Sequence, residues 1–136
     1  MTDLDRFRHA QDAVWPTPLE EVRAGRKRTH WMWFVLPQLR GLGRSAMAER
    51  YGIAGLDEAR AYLADPVLGS RLRQMADALL RHADTPALAI MGEVDAMKLR
   101  SCATLFAEAG EPAFRQVLTV FHGPPDPETL RRLHKG

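Results

Sequence analysis

The chain has 136 residues, 46% of them apolar and 26% charged, and a net charge of +2. That length and balance describe one packed domain with a core of its own, not a disordered segment or a chain needing staples. The lone Cys102 excludes a disulfide scaffold, and the longest apolar run, Trp31–Leu36, falls far short of the about 20 residues of a membrane span.

The first predicted helix runs from about Leu4 to Gln11, with Leu4, Phe7 and Ala10 on one face. The second covers Pro18 to Ala24, with Gly25 as its stop. A short apolar helix from Thr29 to Leu36 ends before Pro37. Ser45 reads as the cap of a helix reaching Arg50 or Tyr51, and Asp57 to Ala64 forms another. Pro66 to Ala83 carries the clearest stripe, with Leu68, Leu72, Met75, Ala76 and Leu79 at three- and four-residue steps. Ala87–Met91 is the one candidate strand. Helices then follow from Val94 to Ala109, Pro112 to Phe121 and Pro127 to His134.

Four pairs of a capping residue and proline, at Thr17, Asp65, Thr85 and Asp126, support helix starts, with Glu111-Pro112 as a weaker version. The expected architecture is all-α, a compact single-domain bundle of about seven to nine short helices. It spans residues 1–136, with the core over about 4–121. The acidic N-terminus Met1-Thr2-Asp3 lacks the features of a secretory signal, so a cytoplasmic protein is expected.

Charge is uneven. Between Arg23 and Arg50 the chain carries +6 and elsewhere −4, which points toward an anionic partner. The same stretch places Trp31 and Trp33 beside His30 and the bases. Aromatic faces stack on ring ligands and guanidinium groups hold phosphates. Arg40-Gly41-Leu42-Gly43-Arg44 leads into the helix start at Ser45, an arrangement that offers backbone N–H groups to an anion. His30 and Gln38 read as polar groups inside an apolar stretch, where each needs a partner or a use. Farther on, Asp95, Lys98 and Ser101 recur at three-residue steps and share a predicted helix face.

Ligand binding is therefore assigned to Trp31, Trp33, Gln38, Arg40, Gly41, Gly43, Ser45 and Ser101. Acid–base work is assigned to His30, Asp95 and Lys98. Arg40, Lys98 and His30 are required to meet in one pocket. The scattered histidines and single cysteine imply no metal site, and no cofactor is expected.

Three segments, Arg26–Ser45, Tyr62–Gly69 and Asp95–Phe106, resemble those of a bacterial family, domain-of-unknown-function family 1810. The resemblance extends from about Leu4 to Phe121. It implies a helical fold and no nameable activity. The label calpastatin sometimes attached to that family fits poorly, because calpastatin inhibitory regions are disordered repeats. The leading expectation is binding, with processing left open, of a phosphate-bearing small molecule such as a nucleotide or an ADP-ribose derivative. The alternatives are a protein-interaction module using apolar surface around Trp15 or Phe121, and nucleic-acid binding through residues 23–50. Oligomeric state is left open.

Overall fold

The computed structural model describes residues 3–134; the outermost positions of the expected 1–136 domain lie outside them. The described residues form ten helices and no strand: α1 (Asp5–Asp12), α2 (Thr17–Arg23), α3 (Met32–Val35), α4 (Ala46–Tyr51), α5 (Leu56–Ala64), α6 (Pro66–Leu80), α7 (Ala87–Met91), α8 (Glu93–Glu108), α9 (Pro112–Phe121) and α10 (Pro127–Leu133). No helix among them is long and apolar enough to cross a membrane.

The helix starts show which sequence signals operate. Asp65 accepts hydrogen bonds from the amides of Val67 and Leu68, Ser45 from Ala48, Glu111 from Ala113, and Asp126 from Thr129. Each satisfies N–H groups that the first helical turn leaves unpaired. Two expected caps are absent. Thr17 is itself helical, and Pro86 rather than Thr85 precedes α7. Ala87–Met91 is helical, not a strand. No neighbouring strand offers it a ladder, and a lone strand would leave its amides unpaired. This segment supplies the tenth helix.

Burial is centred on α8. Its residues Cys102 to Ala107 are all buried, as befits a helix packed on every side. It packs against α5, α7, α9 and α10, while α6 packs against α1, α2, α5 and α9. Leu105 is buried, whereas Val94 and Met97, near the start of α8, are exposed. An aromatic chain threads the core. Phe7 meets Tyr62 edge-on at 5.2 Å, Tyr62 lies 5.3 Å from Phe106, and Phe106 lies 5.9 Å from Phe114. Gln11 is fully buried and donates to the Phe34 carbonyl (2.7 Å) and the Tyr62 hydroxyl (2.8 Å), tying α1 to α3 and α5.

The segment between α3 and α5 holds the least regular backbone. A parallel bridge joins Leu39 to Ile53, with Arg40 N–H on the Ile53 carbonyl (2.8 Å) and Ile53 N–H on the Gln38 carbonyl (3.0 Å). This bridge fixes the turn that follows Leu39.

Candidate functional site

The basic stretch is organised by a residue outside it. Glu21 on α2 accepts from the amides of Arg28 (2.8 Å) and Thr29 (3.0 Å), the Thr29 hydroxyl (2.6 Å) and the Trp31 indole N–H (2.9 Å). Partial burial pushes its carboxyl up, but these donors outweigh that and hold it at about 2. Residues 26–31 are non-helical, with Glu21 holding the amides of Arg28 and Thr29, and α3 starts at Met32 rather than Thr29.

Several expected site residues are thereby relocated. Trp31 is 1% exposed and packs in the core, so its faces are unavailable for stacking. Lys27 is withdrawn from the basic surface. Its ammonium sits 4.8 Å from the Trp31 ring centroid, 2.6 Å from the Thr29 carbonyl and 2.9 Å from the Asp95 carboxylate. His30 is exposed rather than enclosed by apolar neighbours, because it lies on the bend before α3.

Asp95 stands between two lysines, at 2.9 Å from Lys27 and 3.9 Å from Lys98. The Lys98 ammonium lies 5.2 Å from the Trp33 ring centroid. Trp33, Gln38 and Lys98 do converge, on a cleft closed below by Tyr51 and Gly52, but its volume is about 10 Å³. That is space for at most one water molecule. Ser101 does not join them. Its hydroxyl faces the Met97 carbonyl (3.5 Å) and Asp126 at the head of α10 (3.4 Å).

The Gly-rich turn also divides. The Ser45 hydroxyl is occupied by the cap of α4, a helix of six residues. At Gly43 a Cβ would come 2.7 Å from the Ala48 Cβ and 3.3 Å from Gln38 Nε2, so this glycine serves packing. Gly41 differs. It has φ +97°, and a Cβ there would come 2.8 Å from Arg132 Nη1. The missing side chain lets the α10 guanidinium come against the turn beside Arg40.

Here the structure opens a cavity of about 440 Å³, lined by Arg40, Arg131 and Arg132, by Leu39, Leu56 and Leu133, and by the backbone leading into α5. Glu128 binds Arg131 through Nε (2.9 Å) and Nη2 (2.5 Å) and Arg132 through Nε (3.0 Å). The Arg131 hydrogen bonds first, then the Arg132 hydrogen bond and the charge of both arginines, outweigh desolvation and hold its carboxyl at about 2. The Arg40 side chain and the Nη groups of Arg132 make no hydrogen bond or ion pair among the described residues. Beyond the lining, Glu58 is held by Arg6 at 3.0 Å, and the exposed Asp57 lies 3.7 Å from Arg60.

The expectation that Arg40, Lys98 and His30 share one pocket is overturned. Arg40 lines the cavity, Lys98 lines the narrow cleft, and His30 lines neither. Cleft and cavity abut at Gly52, which lines the cleft and is packed against the Arg40 backbone, where a Cβ would meet the Arg40 Cα at 2.6 Å. Sequence reasoning missed Arg131 and Arg132. Their only signal was a pair of adjacent arginines after Glu128, the pattern of an ordinary solvated helix face. Among the described residues, no group of three histidine, cysteine or acidic side chains gathers to hold a metal ion.

A family model described as a protein of unknown function (DUF1810) matches residues 1–133. The chain is also similar to the crystal structure of the conserved hypothetical protein Rv1873 from Mycobacterium tuberculosis. The two are 46% identical over 96% of each chain, with a TM-score of 0.94. No curated protein matches the sequence.

Proposed function

This chain belongs to the DUF1810 family of unknown function, and from the cavity its fold builds we propose that it binds a phosphate-bearing small molecule between Arg40, Arg131 and Arg132. The observation that carries this reading is three arginines from two distant segments lining one concave space, with Glu128 as a carboxylate bonded to two of them, Arg131 and Arg132. Guanidinium forks match phosphate oxygens in geometry and charge. The volume falls in the usual range for small-molecule sites. His30, Asp95 and Lys98 lie outside this cavity, so the reading is one of binding, with no reaction assigned.

Thermal melting against nucleotides, NAD, ADP-ribose, sugar phosphates and short oligonucleotides tests it. A bound ligand at 100 times its Kd adds about 2.7 kcal/mol of stability, which raises the melting temperature by several degrees. The rise is expected to disappear in Arg40→Ala, whose exposed side chain contributes little to the fold. A flat panel removes the reading. An oligonucleotide that outperforms every small phosphate moves it to nucleic acid, although Lys27 is no longer available to that surface.

A second reading has its own observation. Leu88, Val94 and Met97 on α7 and α8 are 58%, 66% and 70% exposed, and Met97 shares a depression with Phe121. Apolar surface of this kind marks contact sites. If it is one, Met97→Asp abolishes association or partner capture seen with the parent chain. A parent chain that sediments as a monomer and captures nothing removes this reading.

A further inference from the structure

The charge arrangement at the cavity distinguishes among anions. Arg40, Arg131 and Arg132 bring three positive charges, and Glu128 is the carboxylate bonded to this group. Two positive charges therefore remain uncompensated within the cluster. Glu128 takes Arg131 and only the Nε of Arg132, which leaves the Nη groups of Arg132 and the whole Arg40 fork as donors. Gly41 admits Arg132 to the turn that carries Arg40. A phosphate monoester carries a charge of about −1.5 to −2 at pH 7. A phosphodiester or a sulfate monoester carries a single charge and leaves part of the cluster unmatched. Beside the arginines the wall carries the apolar side chains of Leu39, Leu56 and Leu133, next to Ala54 and Gly55. It suits a ring or hydrocarbon body rather than a chain of further phosphates.

Resting on the anion reading above, we infer that the cavity takes a terminal phosphate monoester carried on an apolar or aromatic body, and that it selects against diesters and singly charged tetrahedral groups. The dianion stands between the Arg40 and Arg132 forks, and the body lies on the leucines.

Isothermal titration of the full chain with phenyl phosphate, phenyl sulfate, diphenyl phosphate and methyl phosphate tests this. At pH 7.5 phenyl phosphate is expected to bind about tenfold or more tightly than phenyl sulfate or diphenyl phosphate, one charge-assisted contact being worth about that factor. Methyl phosphate, which lacks the ring, binds more weakly than phenyl phosphate. At pH 5.5 the advantage over the sulfate shrinks, because the monoester gains a proton near its second pKa of about 6 while the arginines stay charged. Arg132→Gln lowers phenyl phosphate affinity about tenfold and phenyl sulfate affinity less. Its unliganded melting temperature checks that the fold persists. Equal binding of phosphate and sulfate, or of ester and diester, overturns the monoester inference and spares the anion reading. Equal binding of phenyl and methyl phosphate overturns the apolar body. Failure of all four probes overturns both readings.

Discussion

Glu21→Ala is expected to cost about 3 kcal/mol of stability, measured as a lowered midpoint of urea unfolding at pH 7 with an unchanged slope. The carboxylate receives four hydrogen bonds. Bonds to a charged acceptor contribute about 1.5–3 kcal/mol each, but they do not add. The amides of Arg28 and Thr29 and the Thr29 hydroxyl are exposed, so water replaces their acceptor at small cost. The Trp31 side chain is buried, so its indole N–H loses its acceptor with little access to water. That desolvation dominates the loss.

A local consequence follows from the same contacts. With the 28–31 turn released, Thr29 no longer presents its carbonyl to Lys27, and the Lys27–Asp95 ion pair loses one side of its frame. Glu21→Gln keeps one acceptor oxygen and is expected to lose about half as much. The acid limb of stability carries the same signature. The folded carboxyl, at about 2, lies below its ordinary value of 4.5. Its contribution is therefore complete above about pH 4.5 and drains away as pH falls toward 2. Glu21→Ala flattens that limb. A variant within about 0.5 kcal/mol of the parent at pH 7 would show that Glu21 does not organise the turn.

The features legible in the sequence are those whose causes are local. Asp65, Glu111 and Asp126 cap helices because a carboxylate two or three residues before an amide reaches it without help from the fold. The stripe on α6 is equally local, since Leu68, Leu72 and Leu79 recur at the helical period. The sequence marks both Trp33 and Lys98, and the structure brings them together, but in a cleft too narrow for a small-molecule ligand. The pairs that decide the site are remote. Arg40 and Arg132 line one space because the turn after the Leu39–Ile53 bridge lies against α10, and nothing near Gly41 announces a guanidinium so distant in sequence. Glu21 belongs to α2, yet its hydrogen bonds set whether Trp31 faces the core. His30 is exposed for the same reason. Its apolar neighbours in sequence turn inward one residue later, while Glu21 holds the backbone before it in a non-helical course.

Gly69→Ala is expected to destabilise the chain by about 2–4 kcal/mol, against the usual sign of that substitution. In an exposed helix interior, alanine for glycine gains about 0.5–1 kcal/mol. Gly69 lies in α6 and is buried where α6 crosses α5. A Cβ there would overlap the Leu63 carbonyl oxygen, and would also come 2.9 Å from Arg73 Nη1 and 3.1 Å from the Leu63 carbonyl carbon. Arg73 can swing away only by giving up its bonds to the Leu63 carbonyl (3.1 Å) and to Glu111 (2.6 Å). The backbone of α5 has no slack either, because Asp65 joins the helices directly. Its amide bonds the Ala61 carbonyl (3.0 Å) and its side chain caps α6 (3.0 and 2.9 Å). Separating the helices thus opposes the cap as well as the packing. Gly55→Ala is the matched control at the other end of α5. It has nothing within 4 Å of a Cβ and an extended φ of 173°, so no loss of stability is expected. Because α5 also carries Leu56 at the cavity wall, a Gly69→Ala chain that still folds is expected to bind phenyl phosphate more weakly. Melting temperatures decide the first point: a Gly69→Ala chain as stable as its parent would mean that α5 and α6 do not approach as closely as the Leu63 carbonyl requires.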